Sequence, residues 1–166
     1  MAVRPVVRLP EAVLTRVARP VEGIDADARA LAADLVDTMR ASPACIGLAA
    51  PQIGVGLRAF AVDVSSHKKA TRHHGEFVMF NPVVLVAEAP VLAREGCMSV
   101  PDLTGDVPRA THVVLRGLTP DGEDRVIAVE GFEARAVLHE MDHLDGMTFL
   151  DRVAGHDAVF RRKVYR

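Results

Sequence analysis

The chain has 166 residues, 49% of them apolar, and a formal net charge of -2. That length suits one domain with one core, and the near-neutral charge argues against a dedicated nucleic-acid binder. No run of about 18 apolar residues offers a membrane span, and the N-terminal stretch up to Pro20 is too broken by Arg and Pro to read as a secretory signal, so a cytoplasmic protein is expected.

In chain order, Ala28, Leu31, Ala32, Leu35, Val36 and Met39 recur at helical spacing. They predict a helix over 25–40, with Asp25 as its N-cap and Ser42-Pro43 as its end. The stretch 45–56 is rich in small residues and too punctuated by glycine for a long element. A strand is expected at 57–64, then a polar loop at 65–75 carrying His67, His73 and His74. That loop reads as surface, with a second ion site as the competing use of its histidines. Residues 77–86, interrupted at Asn81-Pro82, and 91–94 read as further extended segments. Segments 112–118 and 125–129 flank Pro120-Asp121-Gly122 and predict a hairpin. Residues 131–144 read as a second helix with Gly146 as its stop signal. Arg161, Arg162, Lys163 and Arg166 make a basic tail, read as a solvated helix end, with contact to RNA as the alternative. Helix, strands, helix is an α+β pattern: antiparallel strands around a C-terminal metal-binding helix, as a single domain over 1–166.

His139-Glu140-Met141-Asp142-His143 lies in the second helix. Two histidines four apart project from one face and can chelate one ion, and Glu140 sits beside that face. A hydrolytic metal usually takes three protein ligands and keeps one position open. Zinc proteases of the thermolysin kind take a Glu from a later helix, but no Glu follows His143. Metzincins would need a His at 149, which is Phe149, and His156 fits neither spacing. A third ligand must come from upstream. Cys97, in Glu95-Gly96-Cys97-Met98-Ser99 at the end of an expected strand, is the candidate. A buried inert cysteine and a Cys–His nucleophile compete with that reading; the nucleophile would leave the second His and Glu140 without a role. Cys45, beside a small-residue apolar segment, reads as an inert thiol, and no disulfide to Cys97 is expected in a reducing compartment.

Three motifs occur in order: Ile46-Gly47-Leu48-Ala49-Ala50-Pro51-Gln52, Glu95-Gly96-Cys97-Met98-Ser99, and His139-Glu140-Met141-Asp142-His143-Leu144-Asp145-Gly146. Together they resemble the signature motifs of peptide deformylase, over nearly the whole chain. The resemblance implies hydrolysis of the formyl group from N-formylmethionine of nascent polypeptides, with release of formate. It implies one divalent metal ion held by Cys97, His139 and His143. Iron(II) is the usual native metal, and zinc, nickel or cobalt can occupy the site. Glu140 would be the general acid/base. Gln52, through its side-chain amide, and Met98, through its backbone N–H, would stabilise the oxyanion. Ile46 and Gly47 would pair with the substrate backbone by strand addition. A metallo-amidase for another N-acyl substrate and a non-catalytic, metal-stabilised binding module are the rival functions. Arg109 and Asp142 read as a pair steadying the metal helix.

Three positions depart from the pattern. Cys45 stands where the first motif usually opens with Gly, Leu138 where a Gln often precedes the first His, and Thr104 where many relatives carry an Arg. Cys45, Gly117-Leu118 and Ala134-Arg135 are similar to the type found in mitochondria and some bacteria. These departures bear on peptide contacts beyond methionine rather than on the metal ligands.

Overall fold

The computed structural model describes residues 2–162. Its strands are β1 (Gly47–Ala49), β2 (Ala59–Val62), β3 (Phe77–Cys97), β4 (Val100–Leu118), β5 (Asp124–Glu130) and β6 (Val159–Arg161), with helices α1 (Ala26–Ala41) and α2 (Gly131–Leu144). The strands form one sheet in the order β1-β2-β3-β4-β5, with β6 paired to β4, and every pairing is antiparallel. This is the expected α+β architecture with the metal-motif helix near the C-terminus. No helix among the described residues is long and apolar enough to cross a membrane.

The strand period of two sorts the core into two layers. Phe60, Val62, Phe77 and Met79 pack with Ala134, Val137, Met141 and Leu144 of α2. Their neighbours Ala59, Ala61, Val78 and Phe80 pack with Leu31, Ala32, Leu35 and Met39 of α1. The sheet therefore lies between the two helices, and its central strands are apolar on both faces. The Asp25 side chain accepts from the Ala28 backbone N–H at 2.9 Å, the cap expected for α1. The hairpin turn also follows expectation: Gly122 has φ +81°, and Thr119 N–H donates to the Glu123 carbonyl at 2.8 Å.

The long arm of the sheet differs from the expectation. Segments 77–86 and 91–94 are parts of one 21-residue strand, β3. It pairs with β4 from Phe80↔Leu118 down to Cys97↔Val100. Pro82 interrupts the periodicity but not the strand, because it falls in a register shift between Phe80 and Val83 where Asn81 takes φ +49°. Proline is tolerated at such a bulge because no ladder N–H is needed there. The basic tail is not a helix end either: Arg161 closes β6, which pairs with Leu103, Thr104 and Gly105. Lys163 and Arg166 lie outside the described residues. Within the glycine-punctuated stretch, Gly47–Ala49 forms β1, a strand the sequence pattern did not predict.

The N-terminal segment straps the motifs together. Val7 N–H donates to the Gln52 carbonyl at 2.8 Å, Leu9 N–H to Ser99 at 3.0 Å, and Ala18 N–H to Leu144 at 2.9 Å. Gly146 makes the last contact possible. A Cβ there would lie 2.9 Å from the Arg16 backbone, and the residue holds φ +74°.

Candidate metal centre

Cys97 ends β3, and the turn through Met98 and Ser99 returns the chain into β4. His139 and His143 stand one turn apart on α2, which packs across that strand end. The three ligand atoms lie within 4.8 Å of one another, and Cys97 Sγ is 3.3 Å from His143 Nε2. Metal–sulfur and metal–nitrogen bonds of about 2.3 and 2.0 Å at tetrahedral angles set donors roughly 3.3–3.6 Å apart. The buried thiol and two imidazoles therefore fit a divalent ion. Burial pushes His143 down to about 3, so its imidazole stays neutral and keeps a lone pair for a metal. No other group of three possible ligands comes this close among the described residues.

Glu95 orients the second imidazole. Its carboxylate accepts from Arg109 at 2.9 and 3.0 Å, from Arg135 at 2.6 Å, and contacts His139 Nδ1 at 2.8 Å. Burial alone would raise this carboxyl, but the hydrogen bonds from His139 and Arg109 outweigh it and hold it at about 2. An ionised carboxylate only accepts, so Nδ1 carries a proton and Nε2 is the atom left for a metal. Burial opposes a charged ring, but hydrogen bonds to Cys97 and Glu95 outweigh it and raise His139, so an ion bound at Nε2 displaces a proton. Reading from the residues gave Glu95 no role. The available signal was its spacing: two residues before Cys97 on a strand, it shares that ligand's face. Arg109 also donates to Asp142 at 2.5 Å, so the expected pair is present and tied into the same network. Arg109→Ala would leave two buried carboxylates short of their main cation. It should cost about 3–5 kcal/mol, read by urea unfolding. A loss below about 1 kcal/mol would show that Arg135, on Glu95, and Arg152, which donates to Asp142 at 3.2 Å, suffice.

The cluster opens into a cleft of about 340 Å³, lined by Cys45, Ile46, Gly47, Gln52, Met98 and Glu140 among others. Gln52 is 2% exposed. Its Oε1 accepts from Ala49 N–H at 2.9 Å, which turns Nε2 toward Cys97 Sγ (3.5 Å) and Ser99 Oγ (3.2 Å). Glu140 is 3% exposed, and its Oε1 has no hydrogen-bond partner among the described residues. Burial raises this carboxyl to about 7. Gly47 is required beside it, because a Cβ would lie 2.6 Å from Glu140 Oε2. Among the described residues β1 pairs only with β2, which leaves its other edge unpaired, and Gly47 at its start lines the cleft. Burial pushes the Cys45 thiol up to about 12, and Sγ lies 3.2 Å from the Gly47 carbonyl, which it can only meet as a donor.

Three loop histidines do not meet. His67 stacks on Phe132 at 4.2 Å, His73 Nδ1 accepts from Gly75 N–H, and His74 contacts buried Glu133 at 2.7 Å. A larger cavity of about 660 Å³ is lined by Arg109, Leu138 and Met141 but by none of the three ligands.

Residues 3–158 match the family model for polypeptide deformylase. A peptide deformylase of Rhizobium meliloti (strain 1021) is 39% identical, covering 98% of this chain and 92% of that protein. One from Desulforudis audaxviator (strain MP104C) is 41% identical, covering 98% and 99%. The crystal structure of peptide deformylase from Thermotoga maritima superposes with a TM-score of 0.84 at 28% identity, over 93% of this chain and 100% of that one. That from Thermus thermophilus gives 0.81 at 38% identity, over 91% and 86%.

Proposed function

The chain belongs to the polypeptide deformylase family, and from that membership we propose that it removes the N-formyl group from N-formylmethionine at the start of nascent polypeptides, releasing formate. Cys97, His139 and His143 would hold one divalent ion, with iron(II) first in line and zinc, nickel or cobalt as alternatives. When bound, such an ion supplies an acidified water and polarises a carbonyl oxygen.

The chain's own groups supply the rest. Glu140 takes a proton from the attacking water and returns it to the leaving amine. A carboxyl raised to about 7 is matched to both transfers near neutrality. The Gln52 amide and the Met98 backbone N–H donate to the oxygen that becomes negative. Gly47, the first residue of β1, and Ile46 just before it offer backbone groups at the unpaired edge to the substrate backbone. The observation that carries this reading is the buried Glu140 carboxyl, whose Oε1 has no hydrogen-bond partner among the described residues, sharing one cleft with the ligand cluster. A structural ion needs no such group, which speaks against a metal-stabilised binding module. Work on nascent chains implies a cytoplasmic site of action close to the ribosome.

The test is formate release from formyl-Met peptides, with acetyl-Met peptides in parallel and iron(II) kept anaerobic. Turnover confined to the acetyl peptides would replace deformylation with another amidase activity. A bound ion with no turnover on either would favour the binding module. In the active enzyme, Gln52→Ala should lower kcat by roughly 10²–10³-fold, as for one lost oxyanion donor. An unchanged kcat in that variant would remove Gln52 from the catalytic set.

A further inference from the structure

The mechanism leaves the basic end of the chain unused. Arg161 closes β6, but Arg162 lines the same cleft as Gly96, Cys97 and Glu140. Its backbone N–H donates to the Asp102 carbonyl at 2.9 Å, next to the pairing of β6 on Leu103, Thr104 and Gly105. The guanidinium rests against Gly96. A Cβ at that glycine would lie 2.4 Å from a terminal nitrogen of Arg162. The guanidinium is thus placed against the ligand strand, between Glu95 and Cys97.

Charge pairing sets Arg162 apart. The Lys and Arg residues on the cleft wall are Lys69, Arg94, Arg135 and Arg162. Arg94 donates to Asp106 at 2.7 Å and lies 3.9 Å over the Phe160 ring. Arg135 is held by Glu95 and by the carbonyls of Val107 and Val91. The cleft's own carboxylates are no partners for the remaining two. Glu95 is taken up by Arg109, Arg135 and His139, and Glu140 is buried beside Gly47. Lys69 and Arg162 are exposed and have no carboxylate partner among the described residues. Two exposed cations from separate parts of the chain thus line the cleft with no carboxylate partner among the described residues, and they attract negative charge there.

We infer that Arg162, assisted by Lys69, selects peptides that carry an Asp or Glu side chain just after the formyl-methionine. The inference rests on the deformylase reading and names a substrate class for the same cleft. A guanidinium forms paired hydrogen bonds with a carboxylate, which makes Arg162 the stronger of the two contacts. Both cations are exposed and neither is a ligand or a proton-transfer group, so the contact acts on binding of the peptide and not on the chemical step.

The experiment measures kcat and KM on formyl-Met-Ala-Ser, formyl-Met-Asp-Ser, formyl-Met-Ala-Asp and formyl-Met-Ala-Lys. It uses the full chain loaded with iron(II), as wild type, Arg162→Gln, Arg162→Lys and the double variant Arg162→Gln/Lys69→Gln. The wild type should favour an Asp-containing peptide roughly 3–10-fold in kcat/KM, almost all of it in KM. The preference should shrink with added salt. Arg162→Gln should abolish most of it while leaving kcat on formyl-Met-Ala-Ser within about twofold, and Arg162→Lys should restore part. Equal kcat/KM on all four peptides in the wild type would overturn the selectivity and leave deformylation standing. An acidic preference that survives the double variant would overturn it as well. Formate from none of the peptides would overturn the deformylase reading, and this inference with it.

Discussion

Glu140→Gln should keep its metal and lose roughly 10³–10⁴-fold in kcat, the upper part of what one positioned acid–base group contributes. The size of the loss follows from the two proton transfers assigned to a single carboxyl. The retention of metal follows from the geometry. Cys97, His139 and His143 form the ligand cluster without Glu140. Glutamine keeps the shape that fits against Gly47, where even a methyl group has no space. The change also gives up no hydrogen bond at Oε1, since that atom has none among the described residues. Burial disfavours the charged carboxylate here, so a neutral amide relieves a cost, and the variant should melt at or above the wild type. Metal content by elemental analysis, formate release and a thermal melt read the three expectations separately. A kcat within about tenfold of wild type would remove Glu140 from the proton path. A variant that has lost its metal would assign Glu140 to the ligand sphere.

Where sequence and structure agree, a local signal suffices. The spacing of Leu31, Leu35 and Met39 and the Asp25 cap define α1. The turn at Gly122 defines the hairpin, and the His139–His143 spacing defines the face of α2 turned to Cys97. Long-range pairing is harder to read. β3 passes through Pro82 and Pro90, each of which locally argues against a strand, and it persists because β4 supplies a partner along its length. β6 is three residues long and has no periodicity of its own; its partner, the stretch Leu103–Gly105, exists only once β4 has formed. The same holds within the site. The ligands lie in recognisable motifs, whereas the service of Glu95 to His139, Arg109 and Arg135 depends on three elements meeting. Arg162 reaches the cleft for the same reason, through pairing that no run of basic residues announces.

Cys97→Ala should empty the site. Apparent zinc binding in four-ligand structural sites is worth about 10–16 kcal/mol, or about 2.5–4 kcal/mol per ligand. One lost thiolate therefore weakens affinity by roughly 10²–10³-fold, and chelator dialysis should strip the variant while the wild type retains its ion. The fold should survive. Cys97 packs in a small cluster with Val100, Val107 and Phe149, and loss of one sulfur leaves those residues in place. The ladder that carries it runs through the backbone from Phe80 to Cys97. Circular dichroism on the metal-free variant checks this. The experiment also decides between the two chemical uses of the residue. A ligand that is lost takes both metal and activity with it, and His143→Ala should give the same pair of losses, since His143 Nε2 lies 3.3 Å from the sulfur. A nucleophile that is lost takes activity alone. An inactive Cys97→Ala protein with a full complement of metal would therefore transfer Cys97 from the ligand set to covalent catalysis. His139 would then have to act as its base, even though the hydrogen bond to Glu95 leaves its Nε2 turned toward a metal.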